Sequence, residues 1–322
     1  MTIVSMFKNN NQVDNLRDSG YGDANFEVSS THISYKAANT NLDKFLGNLR
    51  TIEGKKVYYR NDTGDALAIH GERYKPVSHK QMIDTARNVL ERSNLNLEGI
   101  QEDIRVGDNG ATCFVRHFMP SHQIKTPDGD TAQMTMLHIN SFNSVWPYQA
   151  TAGAHQSACL NHQVFVSGAA AIYKARHTNK LNVDHGAAKL NGILGMLDKQ
   201  NEIWAEWNNI RVPVEQAFKI FAEAAGSSFA LGKLKEGISF REIMTMPTAY
   251  NNNNLRYLMT QFDTCYVPRM GNTYWAVYNA LTDWSTHSRS SRKNAVDVPV
   301  AQYKKAEKVQ KVINNFPFAK AA

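Results

Sequence analysis

Cys159 and His162 form a Cys-x-x-His pair. Thiolate and imidazole are ligands that tetrahedral Zn²⁺ favours, so the pair is half of a zinc site, with His155 or His177 needed to complete it. No second paired element of the finger type follows, and a buried cysteine beside a hydrogen-bonded histidine satisfies the same spacing, so no metal is assigned. A second set stands at four-residue steps, Trp275, Asn279, Asp283 and His287, which would share one side of a helix. Asp283 could orient His287 for acid–base or metal chemistry, or the two could form an i,i+4 ion pair. No motif supplies a nucleophile or a second carboxylate, so no catalytic residue is named.

The stretch from Tyr173 to Lys180 interleaves cations with an aromatic ring. On an extended strand Tyr173, Ala175 and His177 face one way, and Lys174, Arg176 and Thr178 the other. Cations that follow a phosphate backbone and rings that stack on bases are what sequence-tolerant binding of a single strand requires. Lys174, Arg176, His177 and Lys180 are therefore candidate nucleic-acid contacts, with Trp146 and Tyr148 just upstream as stacking rings. The competing reading is an ordinary amphipathic edge strand guarded by lysine. The chain has no GxxxxGK[ST] loop, no GxGxxG after a strand, no HExxH and no GxSxG. Nucleotide-driven motor work and dinucleotide redox chemistry lose their usual signatures, and no cofactor is expected.

The elements that would position these residues change character along the chain. Residues 1–27 are poor in apolar side chains and read as a mobile lead-in, with order beginning near Phe26. Lys55–Tyr59 and Ala66–His70 read as strands of a hairpin across the turn-rich 61–65. Ser78 with Gln81 has capping-box spacing ahead of a helix over about 79–93. Strands over 111–119 and 131–140 flank a loop ending in Pro127-Asp128-Gly129-Asp130, which predicts a long hairpin whose exposed tip carries His122 and Lys125. From about 182 the periods become helical: 190–207, 214–225, 240–246, 255–262, 273–287 and 300–314. The expected class is α+β, with a β-rich portion over 28–181 and a helical portion over 182–322, the two compatible with one continuous domain.

Composition adds a partner class. The 36 basic and 29 acidic side chains leave a net charge of +7, and most of the excess lies from Arg289 onward. There Arg289, Arg292, Lys293, Lys304, Lys305, Lys308, Lys311 and Lys320 stand against Asp297 and Glu307. Such a tail attracts polyanions, and equally suits a solvated helix face. Cys113, Cys159 and Cys265 are odd in number and far apart, which favours buried thiols in a reducing compartment. With no signal peptide pattern and no apolar run near the ~20 residues a membrane helix needs, a cytoplasmic protein is expected.

Three stretches, in order over roughly 70–314, resemble a domain-of-unknown-function family of bacteriophage and plasmid genomes. The first is Arg73-Tyr74-Lys75-Pro76-Val77-Ser78-His79-Lys80. The second runs from His138-Ile139-Asn140-Ser141 through Ala158-Cys159-Leu160-Asn161-His162 to Arg176-His177-Thr178. The third is Asn272 to Trp284, with Trp275, Asn279 and Asp283, completed by His287. The resemblance implies a mobile-element setting in a bacterial host cell and no reaction.

Three functions follow as expectations. The first is binding of single-stranded DNA or RNA, in annealing or strand protection, with self-association into a homo-oligomer as a natural companion. The second is a nucleic-acid-processing enzyme in which Asp283 and His287 meet His177 or Cys159. The third is a virion or host-interaction protein. On the first reading, truncation before Val300 is expected to lower affinity, measured by titration with single-stranded DNA, and to leave the rest folded.

Overall fold

Turn-forming residues between short β-branched and aromatic runs make the first half of the chain strand-forming, and a helical apolar period governs the second. The computed structural model describes residues 21–36, 49–92, 95–156, 162–164, 172–178, 194–287 and 297–315. Its class is α+β. After a short helix, α1 (Tyr21–Ala24), strands β1 (Val28–Lys36), β2 (Leu49–Arg60) and β3 (Ala66–Gly71) form an antiparallel three-stranded sheet. The β2–β3 turn closes where predicted: Arg60 N donates to Asp65 O at 3.0 Å, and Gly64 adopts a φ of 77°. Helix α2 (His79–Arg92) is capped by Ser78, whose Oγ accepts from Gln81 N at 3.0 Å.

A second, six-stranded sheet contains β4 (Gln101–Gly107), β5 (Thr112–Lys125), β6 (Thr131–Ser141), β7 (Tyr148–Gln156), β8 (His162–Val164) and β9 (Ile172–Ala175). The first five follow one another in order, and β9 pairs with β7 beside β8. Met82 and Ile83 of α2 are buried among Ile104, Cys113, Val115 and Tyr148 of this sheet. The β5–β6 hairpin matches expectation except at its end. Strand β5 continues through Lys125, and the reversal at 126–130 is docked rather than exposed. The Asp128 carboxylate is 2% exposed, accepting from Arg269 Nη2 at 2.9 Å and Trp275 Nε1 at 3.2 Å. A carboxylate needs donors once it is buried, and the helical half supplies them.

The helical half comprises α3 (Leu194–Asn209), α4 (Val214–Ala225), α5 (Ser228–Lys235), α6 (Phe240–Thr245), α7 (Pro247–Tyr250), α8 (Asn253–Gln261), a π-turn (Phe262–Tyr266), α9 (Val267–Met270), α10 (Tyr274–His287) and α11 (Asp297–Asn315). Helix α10 is buried at every position from Tyr274 to Thr286. Not one face but the whole circumference is enclosed, so the apolar stripe read from its sequence is only part of its buried surface. The largest core cluster joins Met134, Met136, Ala152 and Ala154 of the sheet to Trp204, Phe221, Tyr278, Leu281 and Val309 of the helices. The core thus crosses the compositional change near residue 182. Of the cysteines expected to be buried, Cys113 is buried and Cys265, in the π-turn, is exposed; Cys159 lies outside the described residues. Among the described residues no helix is long and apolar enough to cross a membrane.

The basic α11 is also core. Val309, Val312 and Ile313 belong to the main cluster, which corrects the expectation that the rest folds without this segment. Losing three buried aliphatic side chains at about 2–5 kcal/mol each rivals the whole stability of a domain. Truncation before Asp297 is expected to abolish the cooperative thermal transition followed by circular dichroism. An unchanged transition would place the segment outside the core.

Candidate nucleic-acid interface

Where β3 ends, the chain runs as Glu72-Arg73-Tyr74-Lys75-Pro76 toward α2, and Pro76 keeps it extended. This segment, the β3 end and Gly54 face the Ser144–Pro147 turn and the Lys174–Thr178 stretch across a cleft of about 1000 Å³. Three rings stack along it. His70 lies on Tyr74 with centroids 3.8 Å apart and planes 16° from parallel, and Tyr74 lies on His177 at 5.3 Å and 28°. Tyr58 meets Tyr74 edge-on at 4.9 Å, and its hydroxyl donates to the Tyr74 carbonyl at 3.3 Å. The two walls are tied by Lys75 N, which donates to His177 O at 3.1 Å.

Charge on the rim is mostly positive. Arg73, Lys174 and Arg176 are exposed lining residues, with Glu72 as the opposing acid. Lys174 also pairs with Glu307 of α11 at 3.2 Å, which sets the exposed Lys304, Lys308 and Lys311 on a helix beside the cleft. Burial, reinforced by the neighbouring His70, pushes the His177 imidazole down to about 4, so its ring is neutral at pH 7. Burial also raises the Tyr74 phenol well above its usual range.

The alternation read from Tyr173 to Thr178 holds: Lys174 and Arg176 are exposed, and His177 is buried. The two upstream rings are corrected. Trp146 is buried with Phe114 and Ile139, because the Ser141 hydroxyl bonds both Trp146 N (3.1 Å) and Trp146 O (2.7 Å) and folds the turn back on the sheet. Tyr148 opens β7 on the face covered by α2 and is 1% exposed. Neither ring is an open stacking platform. Lys125 is exposed but lies outside the cleft lining. Lys304 is exposed, whereas Lys305 is half-buried over the Trp284 ring at 5.5 Å, and burial lowers its ammonium pKa. Cys159, Asn161, Lys180, Arg289, Arg292 and Lys293 lie outside the described residues, so the Cys-x-x-His pair is described only at its histidine. No group of three potential metal ligands occurs among the described residues.

The four-step set on α10 serves packing. Trp275 is fully buried against Trp204 at 5.2 Å and Tyr278 at 5.6 Å, and Asn279 Nδ2 donates to Trp275 O at 2.9 Å. The Asp283 carboxylate accepts from Tyr257 at 2.9 Å and Tyr266 at 3.1 Å. His287 is exposed at the helix end. Asp283 therefore joins α10 to α8 and the π-turn, and is oriented by tyrosines.

The first and second resemblance stretches converge where the third does not. His79 Nε2 donates to Gly110 O at 2.9 Å while its Nδ1 accepts from Asn140 Nδ2 at 3.0 Å, and the same amide donates to Val77 O at 2.8 Å. Arg73, Tyr74 and His177 stand in the cleft itself. His70 and Arg73 are site residues that sequence reasoning missed. Arg73 opens the first resemblance stretch without having been read as a contact, His70 is marked only by its place at a strand end, and much of the partner wall comes from about a hundred residues later. A separate buried network joins Arg87 and His117 to Glu102, with His117 Nε2 2.9 Å from the carboxylate. Burial alone would raise Glu102, but the His117 and Arg87 bonds outweigh it and hold it at about 2.

A family model described as a domain of unknown function (DUF932) matches residues 66–307, from β3 into α11. No curated protein matches the chain, and no solved structure does.

Two outcomes follow from this geometry. Trp146→Ala is expected to cost about 3–5 kcal/mol of stability in urea unfolding, as for a core aromatic; a cost below about 1 kcal/mol would return the ring to the surface. His79 and His138, held near pKa 3 by burial, and His177 near 4 are all neutral in the fold and titrate near 6.5 when unfolded. The unfolded chain therefore binds more protons below that value. Stability should be constant above about pH 7 and fall from pH 6.5 toward 4, by about 1.4 kcal/mol per pH unit for each histidine. A flat urea midpoint between pH 7.5 and 5 would contradict neutral burial.

Proposed function

We propose, for a chain that belongs to the DUF932 family and takes no reaction from that family's name, that its activity is binding single-stranded nucleic acid at the cleft. The observation that carries this reading is the convergence of Arg73, Lys174 and Arg176 on a groove that also holds the His70–Tyr74–His177 stack. Cations meet phosphates and the half-exposed His70 and Tyr74 rings meet bases, contacts that tolerate any sequence. At about 1000 Å³ the cleft is the size of a small-ligand site, which suits a few unstacked nucleotides rather than a duplex. The exposed lysines of α11, tethered through Lys174 and Glu307, extend the positive rim along the strand's path.

The biological setting belongs to the same proposal. The stretches around Tyr74, Asn140 and His177 resemble phage and plasmid proteins, which supports annealing or strand protection during replication or recombination of a mobile element in a bacterial cytoplasm. A homo-oligomer would multiply such short sites along a strand.

Fluorescence anisotropy with labelled single-stranded DNA, duplex DNA and RNA across a salt series tests the reading. Single strands should bind tightest, with affinity falling linearly on a log–log plot as counterions are released. Replacing Arg73 and Arg176 by Gln should weaken binding about tenfold or more and reduce the slope by about 0.7 for each phosphate no longer neutralised, with the melting temperature nearly unchanged. No binding at low salt, or a slope near zero, overturns it.

A further inference from the structure

Three of the five large apolar side chains that stand exposed among the described residues lie on the small sheet: Ile69 (60%), Tyr35 (48%) and Ile52 (41%). The register puts them on one face. Val57 pairs with Ile69 on β3 and with Thr31 on β1, and alternation along β1 carries Ile33 and Tyr35 to the same side as Thr31. Past the irregularity in β2, Arg50 pairs with Tyr35, and Ile52 shares the side of Arg50. The opposite face is turned to the body of the protein, where Tyr58 is buried and meets His70 and Tyr74. Apolar residues scattered singly over a surface are ordinary, whereas a contiguous set on one sheet face marks a docking surface. Most of this one lies on β1 and β2, ahead of residue 66 where the family match begins.

Charge and position decide the occupant. On β2 the basic Arg50, Lys55 and Lys56 outnumber the acid Glu53. Lys55 shares the side of Val57, and Arg50 that of Tyr35, so two copies laid face to face would set like charges together. Cations beside an exposed ring on a sheet face suit a single strand, whose phosphates they meet and whose bases the ring stacks on. The face also continues the cleft. Gly54 and Gly71 line that cleft, and Gly71, at the end of β3, pairs with Lys55. A Cβ placed on Gly71 would meet only the Gly54 carbonyl, at 3.7 Å. The lip between cleft and outer face therefore carries no side chain, and a nucleic-acid backbone can pass close over it. We infer, resting on the single-strand reading, that a strand held in the cleft crosses this glycine lip and runs along the outer face of the small sheet toward Tyr35. From Lys55 to Arg50 the track adds up to about 17 Å at the rise of a strand.

The test uses the full-length chain and labelled oligo-dT of about four and about sixteen nucleotides, the two ends of the range that single-strand sites span. Tyr35→Ala with Lys55→Gln is expected to weaken binding of the long strand about tenfold, the loss of one stacked base, and to leave the short strand unaffected. Arg73→Gln with Arg176→Gln should weaken both lengths. All four side chains are exposed, and thermal melts check that each variant folds as the wild type does. Ile69→Lys distinguishes the occupants, because it adds a cation to a strand's track but a charge to an apolar protein contact. Affinity for the long strand should hold or rise, with the sedimentation coefficient unchanged. Full long-strand affinity in the folded Tyr35→Ala, Lys55→Gln variant overturns the track while binding by the wild type leaves the cleft reading in place. Self-association that Ile69→Lys dissolves makes the face an interface between copies and likewise overturns the track. Absence of wild-type binding to both lengths overturns track and cleft together.

Discussion

The His79 imidazole is gripped from two sides, giving a proton to Gly110 O and receiving one from the Asn140 amide, which also reaches Val77 O. These bonds join the start of α2, the turn before β5 and the inner end of β6. Phe26, just ahead of β1, sets its edge against the same ring at 5.7 Å, and Phe142 lies at 4.6 Å. The junction of the two sheets and the first long helix thus turns on one neutral histidine in one tautomer. A charged ring would lose the acceptor that Asn140 requires, so burial and hydrogen bonding enforce the same protonation state. The cleft opens beside this junction. Its walls are held by the stack of Tyr74 with His70 and His177 and by the backbone bond from Lys75 to His177.

Positive charge and aromatic surface are divided differently from a flat binding face. Arg73 and Arg176 remain in solvent, where cations keep their hydration until an anion arrives. The rings lie behind them in a stack that is already formed. Little conformational entropy is left to lose in assembling such a site, which favours recognition by a rigid wall over an adaptable loop.

Much of this is legible in the sequence, and the failures share a cause. The Ser78 cap, the β2–β3 turn and the alternation of Lys174, Arg176 and His177 depend on neighbours within a few residues, and each is where the sequence puts it. Strands β4 and β7 and helix α5 have no comparable local signal. The Gln101–Gly107 run is acidic and basic where a strand signal expects apolar alternation, and its Glu102 and Asp103 are paired with Arg87, His117, Arg105 and Arg116. Trp146 reads as a free ring because the Ser141 bonds that fold it inward have no sequence signature. Asp283 reads only as a neighbour of His287 because its tyrosine partners, Tyr257 and Tyr266, stand 26 and 17 residues away. Spacing on one helix shows which residues share a face, and the opposite wall decides what they do.

The clamp on Asp128 has a consequence in time as well as in space. Its partners, Arg269 and Trp275, lie 141 and 147 positions later in the chain. While a ribosome makes the protein, the β5–β6 hairpin is complete long before either partner has been synthesised, and the carboxylate at its turn stays hydrated until then. Closing so long a loop adds little entropy cost per residue but makes the contact late and slow. The sheet therefore waits, with the core around Met134 and Met136 incomplete, until the last helices have been made. During synthesis the β-rich half is a surface in need of shelter, and its final shape is decided by the last quarter of the chain.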